Sequence, residues 1–142
     1  MAGSISFTYD NSGDGISSRA VRKVIAAWTS DASGDAAGTC VKIVGSLVKA
    51  TTVPGAGGTA PSDNYDITLT DDKSINVLAT CAVALLDRDT ANTEEQYFFV
   101  LNSDSPPLSV SARPAVCSPL TFTVANAGNV KSGTIHLYYK GA

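Results

Sequence analysis

Over much of this chain apolar and polar residues alternate with a period of two, the spacing of a strand with one wet face. In "NYDITLT" Tyr65, Ile67 and Leu69 fall on one side and Asp66, Thr68 and Thr70 on the other. "LTFTVAN" sets Leu120, Phe122 and Val124 against Thr121 and Thr123 before Asn126, and "GTIHLYYK" sets Ile135, Leu137 and Tyr139 against Thr134, His136 and Lys140. Between them "NAGNVKSG" offers Asn126, Gly128, Asn129 and Gly133, residues that tolerate positive φ. The last two strands are therefore expected to pair as a C-terminal antiparallel hairpin.

Earlier segments fit the same plan with more irregularity. "SISFTYD" (Ser4 to Asp10) and "VRKVIAAWTS" (Val21 to Ser30) read as strands, and the second changes apolar phase after Lys23, which predicts a bulge. "TCVKIVGSLVKATTV" (Thr39 to Val53) is long for one strand, with Gly45 as the expected bend or bulge. "QYFFVLN" completes the strands, and only "SINVLATCAVALLDRD" hints at helix, through the loose spacing of Ile75, Leu78 and Val83. Seven or eight strands in one domain over residues 1–142, with at most one short helix, predict an all-β antiparallel sandwich, a jelly roll or related Greek key.

Composition narrows the function classes. The chain has 142 residues, is 44% hydrophobic and carries a net charge of −3. That length supports one self-sufficient core. The ten basic residues are scattered along the sequence, unlike the clustered Lys and Arg of a phosphate-tracking surface, so no nucleic-acid partner is expected. Cys40, Cys81 and Cys117 lie far apart, without the paired spacing of a zinc or redox dithiol site, and their odd number argues against a disulfide framework. "MAGSISFTYD" lacks a basic region followed by an apolar run, and no apolar stretch reaches the ~20 residues that cross a bilayer. Synthesis in a cytoplasm, without membrane association, is the expectation.

The acids invite a chemical test. "APSDNYDITLTDD" holds carboxylates on the polar face of its strand and at both ends, and its pattern is that of a strand between two turns. "DNSGDG" (Asp10 to Gly15) matches the first half of a calcium loop, but the twelfth position is Val21 where a bidentate acid is required, and the flanks are strand-like. "DRDTANTEE" gathers four acids around Arg88 and reads as a hydrogen-bonded connector. A nucleophilic triad needs a base, and the one histidine, His136, sits on the polar face of the last strand. "PGAGGTAP" has neither the lysine nor the following helix of a phosphate loop. Neither enzyme activity nor a cofactor or metal is expected.

What stands out is apolar surplus. "QYFFVL" is hydrophobic on both faces, with Tyr97, Phe99 and Leu101 on one and Phe98 and Val100 on the other, and Tyr138 faces away from Tyr139. The second face must be covered from inside, by the Ile75 to Leu86 segment, or by another chain. Phe98, Val100 and Tyr138 are accordingly the partner-interface candidates.

The stretches "PSDNYDITLTDD", "RDTANTEE" and "GNVKSGTIHLYYKG" resemble small structural proteins of tailed bacteriophages, in particular the jelly-roll capsid cement (decoration) proteins of short-tailed phage heads. The resemblance implies a sandwich on the exterior of an expanded icosahedral shell, bridging neighbouring major capsid subunits, with self-association into dimers or trimers there. A neck or tail component and a carbohydrate-binding module are the alternatives. An apolar contact face would make shell binding persist at high salt.

Overall fold

The computed structural model describes residues 2–10, 21–77, 85, 87–98, 100–101 and 110–141. Among these residues eleven strands run β1 (Ser4–Asp10), β2 (Val21–Thr29), β3 (Ala36–Thr39), β4 (Ile43–Pro54), β5 (Asp66–Thr70), β6 (Glu94–Tyr97), β7 (Val100–Leu101), β8 (Val110–Ala112), β9 (Ala115–Ser118), β10 (Thr121–Ala125) and β11 (Ser132–Gly141). Among the described residues the helical content is one 3-10 turn, Gly57–Thr59, inside the glycine-rich loop. The expected all-β antiparallel sandwich is what forms.

The large sheet orders β1-β2-β11-β4-β6, and β9 joins it beside β6 on the same flank of β4; the small sheet orders β3-β10-β5, and β7 and β8 pair on their own. Every one of these pairings is antiparallel. The pairs are nested in sequence: β2 takes β11, β3 takes β10 and β4 takes β6. Innermost, β5 is flanked by the returning chain through the bridges Tyr65 to Arg88 and Thr70 to Asn76. A double strand folded in this way places successive pairs in alternate sheets.

That nesting corrects the expected C-terminal hairpin. β10 and β11 do not pair, because β10 lies between β3 and β5 while β11 lies between β2 and β4. Of the expected turn residues Asn126 and Gly128 have positive φ, Asn129 and Gly133 do not, and Val130 does in their place. Their turn carries the chain across the sandwich. It is fastened to the loop after β2 by Ala127 N to Gly34 O (3.0 Å), Val130 N to Asp31 O (3.2 Å) and Ser30 N to Lys131 O (2.8 Å). Alternation tells which face of a strand is buried but carries no information about its neighbour.

Between the sheets lies one core. Val24, Ala26, Trp28, Ile135, Leu137 and Leu47 of the large sheet meet Ile67, Leu69, Phe122 and Val124 of the small one. Rings bridge the layers: Phe7 meets Phe122 edge-on at 5.3 Å between centroids, and Trp28 tilts against Tyr65 at 5.6 Å. The bulge expected in β2 is absent, since its registers with β1 and β11 run without a break. The phase change arises because Val21 is left outside, 59% exposed. The bulge of the large sheet falls instead on β4 at Val48, between Lys49 and Leu47, and not at Gly45. The strand over Thr39 to Val53 is also broken, with β3 ending at Thr39 in one sheet and β4 starting at Ile43 in the other.

"QYFFVL" is not one strand either. β6 stops at Tyr97, and Phe98 turns fully inward, its amide donating to Val48 O at 3.0 Å. Phe98 belongs to the core and drops out as an interface candidate. Of the segment that hinted at helix, Asn76 and Arg88 bridge β5 and Leu85 is buried; 78–84 and 86 lie outside the described residues.

Candidate docking surface

The small sheet covers one face of the large sheet; the other is built from alternate residues of its six strands, and the registers set them in rows. One row reads Asp10, Lys23, Tyr138, Lys49 and Tyr97 across β1, β2, β11, β4 and β6. It is linked from end to end. Lys23 Nζ lies 3.8 Å from Asp10 Oδ2 and 5.8 Å from the centre of the Tyr138 ring. Lys49 Nζ sits 4.8 Å from the same ring and 5.5 Å from that of Tyr97, and is paired with Glu95. The Glu95 contact raises the Lys49 ammonium above its ordinary value and holds the Glu95 carboxyl below its own.

The neighbouring row carries Val21, Lys140, Ser46 and Ala115, and beyond it Val44 stands opposite Cys117. Val44 is 44% exposed and Cys117 is exposed. Lys42 and Arg113, both exposed, flank this corner where β4 begins and just before β9. Five cations thus meet two carboxylates, Asp10 and Glu95, on and beside a face of an acidic chain. The other nine described carboxylates belong to loops, to β5 or to the Glu94 contact with Arg88. Bases that are scattered in sequence are gathered by strand register.

Of the interface candidates, Tyr138 stands at the centre of this face, half-buried under its lysines. Val100 lies in β7, away from Tyr138 in the strand order, and Phe98 is inside. Tyr97, which points outward at 47% exposure, is the aromatic that sequence reasoning passed over. Its signal was the all-polar "TEEQ" before it, which places Tyr97 two residues after Glu95 on the wet face of the same strand.

The acids do turn work. Asp71 Oδ1 accepts from the amides of Lys73 and Ile75 at 2.9 Å each. Asp66 accepts from Asp87 N at 3.1 Å and Asn126 Nδ2 at 2.8 Å. Asp89, which accepts from Asn92 Nδ2 and from the amides of Ala91 and Asn92, has a carboxyl held below its usual range by those bonds. Arg88 is buried, with Nη1 3.3 Å from Glu94 Oε2. Of the calcium-loop match Asp10 to Gly15, Asp10 ends β1 beside Lys23, and the rest falls outside the described residues, as does Cys81. Among the described residues no three His, Cys, Asp or Glu side chains gather as a metal site.

His136 lies one row above Tyr138, 3.2 Å from the Thr134 hydroxyl. Burial, and secondarily the Lys23 charge, push its pKa below the ordinary value. Among the described residues the buried Trp28 Nε1 has no hydrogen-bond partner. Burial pushes the Tyr65 phenol up to about 12, which fits a neutral core residue. No protein-family model, curated protein or solved structure matches the chain.

Proposed function

We propose that this chain is a non-enzymatic virion protein that docks on the outer surface of an assembled icosahedral phage capsid and stabilises it by bridging major capsid subunits. Two lines support the reading. The phage assignment rests on the three stretches that resemble cement proteins. The docking part is carried by one observation, the outer face of the large sheet, where Tyr138, Tyr97, Lys49 and Lys140 stand in ordered rows with exposed Val21 and Val44 beside them. Aromatic and cationic side chains mixed with apolar ones are the composition of a protein interface.

The nested pairing supports the finer fold reading, a jelly roll: one long antiparallel double strand, rolled so that its successive pairs alternate between the two sheets. The carbohydrate alternative fits less well. Sugar stacking needs a free aromatic face, and both Lys23 and Lys49 sit over the Tyr138 ring.

Self-association into a dimer or trimer on the shell belongs to the same proposal. A bridging protein touches more than one subunit, so its second contact is intramolecular and modest interfaces sum to strong retention. The purified chain is expected to bind expanded shells tightly and free capsid subunits weakly, and to raise the temperature at which shells rupture. Equal affinity for both, with an unchanged rupture temperature, would remove the clamp. A few copies per virion by gel densitometry, in place of hundreds, would point to a neck or tail component.

A further inference from the structure

We propose that the outer edge of β9 accepts an extended, carboxylate-bearing segment of a partner protein as one more strand of the large sheet. This deepens the docking role above by naming the chemistry of the partner. β9 is paired on one side by β4, in the register Ala115 to Ser46 and Cys117 to Val44, and among the described residues nothing pairs with its other side. An unpaired strand edge presents backbone donors and acceptors that an incoming strand satisfies, while side-chain contacts set the specificity.

The surroundings define those contacts. Ala115, Cys117 and Val44 are exposed on the outer face, an apolar strip beside the incoming strand. A shallow hollow opens next to it, because Gly45 and Gly141 face each other without side chains. A side chain at Gly45 would stand 2.0 Å from Lys140 O. Lys42, Arg113 and Lys140 surround the strip, and none of them has an ion pair among the described residues, unlike Lys23 and Lys49 in the row above.

This charge pattern selects the occupant. A second copy paired edge to edge would bring the same cations together, and like charges facing each other oppose association. A nucleic-acid strand gains nothing from the strand edge, meets a chain of net charge −3, and finds Lys23 and Lys49 already holding carboxylates. Carboxylates on an extended peptide satisfy edge and cations together.

The test uses the full 15N-labelled chain and a short peptide of alternating Glu and Val. Saturable binding is expected, with amide shifts and slowed hydrogen exchange centred on Ala115–Ser118. Affinity should fall roughly tenfold as salt rises from about 0.05 M to about 0.5 M. The exposed double variant Lys42→Glu, Arg113→Glu should keep its melting temperature and lose peptide binding. Equal binding of a Lys-Val peptide or a single-stranded oligonucleotide, shifts away from β9, no saturable binding, or peptide-independent dimerisation through β9 would each overturn the proposal. Shell binding that survives the double variant would also overturn it, while leaving the docking reading in place.

Discussion

Phe98 shows at the scale of one residue how burial decides a role. It is fully buried beside Val48, so Phe98→Ala should cost about 3–5 kcal/mol, the usual loss when a core aromatic is truncated. Phe98→Asp should leave no folded monomer, because a charge would be buried unpaired. Urea unfolding followed by circular dichroism checks both, and a folded Phe98→Asp chain would show that this side chain is not core. His136 gives a pH signature. Its folded pKa is depressed, so its contribution to stability is present above the unfolded value near 6.5 and is lost as pH falls through the folded value. His136→Gln should flatten the melting temperature across that window. Asp31, whose carboxyl is held below 3.8 mainly by the Asp35 and Ser33 amides, acts in the same sense at more acid pH. Its contribution is present above 3.8 and lost below, so Asp31→Asn should weaken the acid-side fall in melting temperature.

The crossover from β10 to β11 is the element on which the topology turns. Its turn packs against the loop after β2 so closely that a Cβ on Gly34, whose φ is +94°, would stand 2.7 Å from Gly128 N. Gly34→Ala combines a disfavoured backbone with a backbone clash and should cost about 1–3 kcal/mol in urea titration. The turn after β5 is different in kind. Asp72 meets Lys73 at 3.4 Å in full view of solvent, so Asp72→Asn should change stability by less than about 1 kcal/mol. A loss of several kcal/mol there would mean that the acid holds something besides water.

Across the whole molecule, charge is divided between faces. The cations of the large sheet and its β9 corner confront an otherwise acidic chain, so docking through this face should weaken as salt rises. This reverses the expectation drawn from an apolar contact face. Sedimentation of chain with expanded shells at increasing salt measures it, and retention unchanged at high salt would place the contact on another surface. Glu95→Lys, which turns the Lys49 pair into a repulsion and makes the row more cationic, should slow release from an acidic partner while leaving the fold intact.

The period-two pattern alone determined β1, β5, β10 and β11 nearly to the residue, the inward direction of Ile135 and Tyr139, and the all-β class, because one-sided burial writes itself directly into alternation. It also marked Tyr138 as outward and the acids as turn formers, since Asp and Asn bond their own local backbone. Tertiary structure alone decided which strands are neighbours, and with that everything that depends on two distant segments meeting. The hairpin expected of β10 and β11 became a crossing between sheets, the apolar run at Phe98 was divided between core and surface, and scattered lysines became a row. The physical reason is that alternation is a property of one strand and its two faces. Pairing, and the charge it assembles, depends on the packing of all the strands together.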